Sequence, residues 1–272
     1  MADISLTAGM RQNLYSMQNT AKLMDRTADR LSSGFKVKTA LDDPINYFAA
    51  QGHRQRASDL AGRKDEMGEA IQLVKAGNAG IEAVTDLVAA AKSIAQSALS
   101  AEASEISGLE EQYDALLDQI DALAGDSGYK GVNLLGGTDE TLVVSFDEDG
   151  TSTVTLEGFD STAGVGLSIA TAAVEVWSSA TGITDSIEDL DNARTTLRSE
   201  AKIMANNLST ITIRQDFTSN MINTLNDGAD NLTLADMNEE GANMLMLQTR
   251  QGLGTSSLSM ASQAAQSVLR LF

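Results

Sequence analysis

The chain has 272 residues, with 38 acidic against 19 basic side chains for a formal charge of −19, and it contains no Cys, one His and one Pro. Disulfides, cysteine–zinc sites and thiol catalysis are thereby excluded, and so acidic a chain repels nucleic acid and anionic membranes. No apolar run approaches the roughly 20 residues of a membrane span, and Asp3, Arg11, Lys22 and Asp25 deny residues 1–30 the apolar core of a cleaved signal peptide.

Hydrophobic spacing is helical over most of the chain, and often nearer 3.5 than 3.6 residues per turn. Met10, Leu14, Met17, Ala21, Met24, Ala28 and Leu31 form a narrow coiled-coil seam. Leu31-Ser32-Ser33-Gly34 ends that helix, Gly34 being suited to the left-handed conformation past a C-terminus. Asp42-Asp43-Pro44 opens the next one: Asp43 caps free amides, and Pro44 sits where a missing N–H costs nothing. That helix runs to about residue 98 with Met67, Ile71, Val74, Ile81 and Val88 on one stripe, a length of roughly 80 Å. Ser107 and Glu110 have capping-box spacing at the head of a shorter helix carrying Ile106, Leu109, Tyr113, Leu116, Ile120 and Leu123, ended by Gly125.

Residues 126–184 change character. Leu142, Val144 and Phe146 alternate, and Val154 and Leu156 face them across Asp147-Glu148-Asp149-Gly150, which predicts a β-hairpin. Trp177 falls in the short irregular remainder. Asp185 and Glu188 then open a helix with Leu190, Leu197, Ala201, Met204, Leu208, Ile211, Ile222 and Leu225, closed by Gly228. Thr233 with Asp236 starts the last helix, which carries Met237, Met244 and Leu247, then Leu258, Ala261, Ala265, Val268 and Phe272. The expected fold is mainly α, with long antiparallel coiled-coil-like helices from both chain halves and a small β-hairpin region in the middle. Three parts are expected: 1–43, 44–228 with the insertion near 126–184, and 229–272.

Charge is unevenly spread along the chain. Residues 1–98 hold 12 basic and 11 acidic side chains and residues 192–272 hold 6 and 7, whereas residues 99–191 hold 20 acids and a single base, Lys130. From 242 to 272 there is no acid at all. Ordering the two ends costs roughly 1–2 kcal/mol per residue in backbone entropy, which a seam using two positions in seven does not offset. The ends are therefore expected to be mobile alone and to order when neighbouring copies cover them. On that expectation Leu14→Ala or Leu258→Ala costs assembly roughly 2–5 kcal/mol.

Leu31-Ser32-Ser33-Gly34-Phe35-Lys36-Val37-Lys38-Thr39-Ala40-Leu41-Asp42-Asp43 resembles the bacterial flagellin stretch L-S-S-G-x-K/R-I/V-x-x-A-x-D-D. Gly131-Val132-Asn133-Leu134-Leu135 and Asn231-Leu232-Thr233-Leu234-Ala235-Asp236 are similar to further flagellin elements, and residues 263–272, ending in Val268, Leu269, Arg270, Leu271 and Phe272, resemble that family's apolar tail. The resemblance implies a short flagellin with a minimal central insertion of about residues 158–184. It implies terminal helices in the inner tube of a filament, with Met10 to Leu31 and Leu258 to Phe272, Leu271 included, as the contacts. The linker would be Ser33, Gly34, Asp42, Asp43 and Pro44, and the long helices and hairpin would form an outer shell. It further implies a self-assembling motility protein, exported uncleaved through the flagellar type III channel to an extracellular filament, with an export chaperone, a filament cap and hook-junction proteins as partners.

Two stretches depart from the family pattern. Pro44-Ile45-Asn46-Tyr47-Phe48 replaces an Ala/Gly-rich run, and Leu87-Val88-Ala89-Ala90-Ala91-Lys92-Ser93-Ile94-Ala95-Gln96 lacks the Arg-rich strip read by a Toll-like receptor, so weak recognition is expected. The rival readings are a hook–filament junction protein and a secreted helical adhesin, for which Trp177 is the available aromatic. Catalytic candidates are poor. His53 has no second His or Cys to share a metal or a proton relay. Asp147-Glu148-Asp149-Gly150 begins like a calcium loop, but Ser152 and Gly158 occupy positions needing Gly and Glu. Glu110, Glu111, Asp114 and Asp118 at helical spacing read as a solvated face, and Gly164-Val165-Gly166 lacks a nucleotide loop's third glycine. No enzyme, cofactor or metal is expected. The Ser/Thr-rich stretch 151–184 is the candidate for O-linked sugars.

Overall fold

The computed structural model describes residues 8–172 and 174–269. In chain order it contains α1 (Ala8–Ser33), α2 (Pro44–Ala98), α3 (Ala103–Asp126), β1 (Thr141–Ser145), β2 (Thr153–Glu157), the single turn α4 (Val174–Trp177), α5 (Ala180–Thr233) and α6 (Met237–Leu269). The fold is mainly α with one antiparallel hairpin, as the periodicity predicts. The chain divides into two compact units: Met1–Gln55 with Leu225–Phe272, and Arg56–Thr224.

Within the unit 56–224, a strict repeat of seven governs both long helices. Leu60, Met67, Val74, Ile81, Val88 and Ala95 are buried along α2, and Leu190, Leu197, Met204, Ile211 and Thr218 along α5. The two helices run antiparallel: Lys92 Nζ meets Asp191 Oδ1 at 2.5 Å, while Gln215 Nε2 donates to the Lys64 carbonyl at 3.3 Å. Helix α3 closes the core with Tyr113, Leu117 and Ile120. Packing against α2 is tight at Gly80, where an added Cβ would stand 2.5 Å from Leu135 Cδ1.

The hairpin forms in the expected register, Leu142 opposite Leu156 and Val144 opposite Val154. Val144, Leu156 and Phe146 are buried, although Phe146 lies just beyond β1. Its tip is a turn built on Asp147, whose Oδ2 accepts from Thr151 Oγ1 (2.5 Å) and Ser152 N (3.1 Å); these bonds hold the carboxyl below its ordinary pKa. Arg56 pairs with Glu148 at 2.5 Å, and Arg214 lies over the Phe146 ring at 5.1 Å.

Four expectations need correction. Helix α3 starts at Ala103 with Glu102 at its N-cap, so Ser107 and Glu110 lie inside it and form no capping box. Helix α5 starts at Ala180 and passes through Gly228 to Thr233. A glycine inside a helix costs about 1 kcal/mol, and burial of Leu225, Ala229 and Thr233 on either side offsets it. The acids of α3 do not form a purely solvated face: Glu110 is buried, and Asp114 Oδ1 accepts from Ala172 N at 2.8 Å. Asp121 Oδ1 likewise accepts from Ala163 N at 2.7 Å, so two carboxylates clamp the irregular segment before α4. Finally, Trp177 is not available to a ligand. It is fully buried, its Nε1 donates to Ser186 Oγ at 3.0 Å, and its ring centroid lies 4.9 Å from that of Tyr113. Burial pushes the Tyr113 hydroxyl well above its ordinary pKa.

Two outcomes are expected. Gly108 meets nothing within 4 Å in its helix, so Gly108→Ala raises stability by roughly 0.5–1 kcal/mol; Gly80→Ala lowers it by about 1–3 kcal/mol through overpacking, both read by thermal unfolding. Ser186→Ala orphans the indole N–H and costs about 1–3 kcal/mol, while the single Trp of the parent chain emits at short wavelength and resists acrylamide quenching.

Candidate assembly surface on the terminal helices

Within the unit 1–55 and 225–272, the segment after α1 is tied by backbone to the junction of α5 and α6. Gly34 adopts φ 76° and donates to the Arg30 carbonyl at 2.8 Å, which terminates α1. The chain then lies against the α5–α6 junction: Lys36 N (2.8 Å) and Val37 N (3.2 Å) donate to the Thr233 carbonyl, and Ala235 N donates to the Gly34 carbonyl at 2.9 Å. Arg54 reaches the same junction through Asp230 and Thr233 Oγ1, both at 3.1 Å. Asp42 Oδ2 collects Lys38 N, Thr39 N and Thr39 Oγ1, which lowers its pKa. Asp43 Oδ1 accepts from Asn46 N at 3.0 Å, capping α2 ahead of Pro44. Ser33 Oγ donates to the Asp29 carbonyl at 2.7 Å. Of the candidate linker residues, Gly34, Asp42 and Asp43 thus lie in the crossing between α1 and α2, while Ser33 closes α1 and Pro44 opens α2. His53 packs beside Gly228, 3.8 Å from where a Cβ would stand, and has a packing role there.

Beyond this clasp α1 packs antiparallel on α6. Arg30 Nη1 meets Glu240 Oε1 at 2.6 Å near one end, and Asn13 Nδ2 donates to the Gly254 carbonyl at 3.4 Å further along. Gly254 permits the close approach, since a Cβ there would meet Met17 Cγ at 2.9 Å.

The seam is rotated from the expected one. Met10, Met17, Met24 and Leu31 do lie on the covered side, but their companions are Asn13, Thr20 and Thr27 rather than Leu14, Ala21 and Ala28. Thr20 and Thr27 are each 7% exposed, whereas Leu14 is 40% exposed, Ala28 is exposed and Ala21 half-buried. Thr20 satisfies its hydroxyl on the Ser16 carbonyl at 2.9 Å, leaving its methyl group for packing. On α6 Glu240 and Leu247 are buried and Leu258, Ala261 and Ala265 half-buried. The side chain of Val268 and residues Leu271 and Phe272 lie outside the described residues.

The pair also leaves several large apolar side chains uncovered. Leu14, Tyr15 and Leu23 on α1 are exposed, as are Leu245, Met246, Leu253 and Met260 on α6. Met246, Leu253 and Met260 recur every seven residues in a stretch without an acid, a signal present in the sequence that the search for a single seam passes over. A stripe of exposed large apolar residues at heptad spacing points to an interaction surface. Among the described residues no group of three or more His, Cys, Asp or Glu side chains is placed to hold a metal ion, and no described helix is long and apolar enough to cross a membrane.

The chain has known relatives. A family model described as the bacterial flagellin N-terminal helical region matches residues 4–140. Flagellin FljK of Caulobacter vibrioides is 25% identical over 99% of this chain and 98% of its own length, and a flagellin of Brucella melitensis is 25% identical over 100% and 99%. A solved Vibrio parahaemolyticus protein described as flagellar hook-associated aligns with 71% of this chain and all of its own at a TM-score of 0.59 and 10% identity, a likeness of fold alone. A family model over half the chain, with relatives matching end to end, establishes that this chain belongs to the bacterial flagellin family, structural and not enzymatic, and is a subunit of the extracellular flagellar filament that drives motility.

Proposed function

We propose that the paired terminal helices carry the assembly contacts of this flagellin, and that Met10, Leu14, Met17, Ala21, Met24, Leu31, Leu258, Ala261, Ala265, Val268, Leu271 and Phe272 divide between two tasks. The half-buried members hold α1 to α6, while Leu14, joined by Tyr15, Leu23, Met246, Leu253 and Met260, meets neighbouring copies. The observation that carries this reading is the uncovered heptad stripe on α6. Two ends held side by side favour heterologous contacts that do not close, and those build helices rather than rings. In this reading residues 1–43 and 229–272 line an inner tube, while 44–228, with the insertion near 126–184, face outward. The acidic block 99–191 keeps that outer surface solvated. The linker of Ser33, Gly34, Asp42, Asp43 and Pro44 fixes where the tube helices leave the shell.

Export without cleavage, shielding of the C-terminal helix by a chaperone, insertion beneath a cap and seating on hook-junction proteins belong to the same proposal. So does weak Toll-like receptor recognition: Val88, Ala91 and Ala95 of the relevant stretch are buried, and Lys92 is engaged by Asp191.

Purified monomer given short seeds should form long uniform filaments in negative-stain electron microscopy, and deleting 1–34 or 242–272 should abolish them; closed small oligomers from the parent chain would overturn the reading. Leu253→Asp, exposed in the monomer, should leave thermal unfolding of the unit 56–224 unchanged while raising the critical concentration at least a hundredfold, since burying an unpaired charge costs several kcal/mol. A critical concentration unchanged in L253D would remove the α6 stripe from the interface.

A further inference from the structure

The stretch that departs from the family pattern forms an exposed apolar knob. Leu41 at the tip of the linker turn is 96% exposed, Ile45 on the first turn of α2 is 81% exposed and Phe48 is 64% exposed. Ile45 and Phe48, three residues apart, share one side of α2, Leu41 stands in the turn that leads into it, and Tyr47 braces the Phe48 ring edge-on at 5.5 Å. Three neighbouring large apolar side chains so open to water mark a contact.

A receptor of matching character lies in the unit 56–224. Helix α2 and the free edge of β1 enclose a cleft of about 460 Å³. Ala70, Leu73, Leu142 and Val143 form its apolar lining, Val143 being 57% exposed. The charges on its rim already neutralise each other: Arg63 pairs with Glu66 at 2.8 Å, and Glu69 with Lys130 at 2.7 Å, with Tyr129 donating to Glu69 at 3.1 Å. Beside the knob, the two carboxylates are already held by hydrogen bonds, Asp42 by the amides of Lys38 and Thr39 and Asp43 by the Asn46 amide at the head of α2. Covering Leu41, Ile45 and Phe48 buries apolar area while leaving those hydrogen bonds in place.

We propose that the knob of one copy, Leu41, Ile45 and Phe48, seats in the α2–β1 cleft of a second copy. A non-closing polymer needs contacts made of two different surfaces on the same chain, and these two are different and both apolar. The inference rests on the polymer reading and adds to it a contact outside the terminal helices.

The absence of cysteine makes the test clean. Ile45→Cys and Val143→Cys are prepared as separate chains, both at exposed positions, mixed one to one, polymerised on seeds and treated with a short bis-maleimide. The expected result is a covalent dimer band in the mixed polymer, absent from polymers of either variant alone and from the mixed monomers. Polymer without that band, or a band from Ile45→Cys polymer alone, would overturn this contact and leave the terminal-helix reading standing; a chain that forms no polymer would overturn both. Independently, Phe48→Ser should raise the critical concentration roughly tenfold, and an unchanged value would count against the knob.

Discussion

Three backbone hydrogen bonds, from Lys36 and Val37 to Thr233 and from Ala235 to Gly34, join the chain leaving α1 to the start of α6. Everything about the terminal helices follows from that clasp. It sets α1 and α6 side by side at their roots, so the pair needs little side-chain adhesion of its own to remain aligned. A backbone clasp is also indifferent to side-chain identity, apart from Gly34, whose φ of 76° is uncomfortable for residues with a Cβ. The helices therefore carry large apolar residues outward as well as inward. Asn13, Thr20 and Thr27 occupy the covered seam, while Leu253 and Tyr15 face away from it.

Much of this was legible before any coordinates. Asp43 and Pro44 mark the start of α2 because capping and the fixed φ of proline act locally, and Val144 and Val154 pair as alternation requires because a one-residue slip would turn the hairpin inside out. The rotation of the terminal seam was not legible. Positions 13, 14, 20, 21, 27 and 28 are small or polar with the exception of Leu14, so two adjacent stripes are nearly degenerate in hydrophobicity and the partner helix decides between them. The same applies to Gly228 and to the acids at 114 and 121. A glycine reads as a stop and a carboxylate as solvent-facing until distant residues are packed against them.

Within the unit 56–224, the heptads on α2 and α5 leave the irregular chain between β2 and α5 to be fixed by polar means. Asp114 and Asp121 take backbone N–H groups of Ala172 and Ala163, and Ser161 and Phe159 donate backbone N–H groups to the carbonyls of Leu135 and Leu134. This arrangement places Trp177 in the core from a four-residue helix, where propensity contributes almost nothing. The segment reads as an unstructured remainder in sequence because its order is borrowed from α3 and from the 134–135 turn.

The covered seam of α1 is built on thioethers at Met10, Met17 and Met24, and the outward stripe of α6 carries two more at Met246 and Met260. Sulfur gives these surfaces compliance, but it also gives them a chemical weakness. Oxidants convert methionine to a sulfoxide, a polar and chiral group that packs poorly. In a chain without cysteine these atoms are the ones that peroxide or hypochlorite reaches first, and Met246 and Met260 stand open until another molecule covers them. A free subunit would thus carry an oxidative lifetime that an incorporated one does not, so that burial protects the chemistry of the surface as well as its free energy.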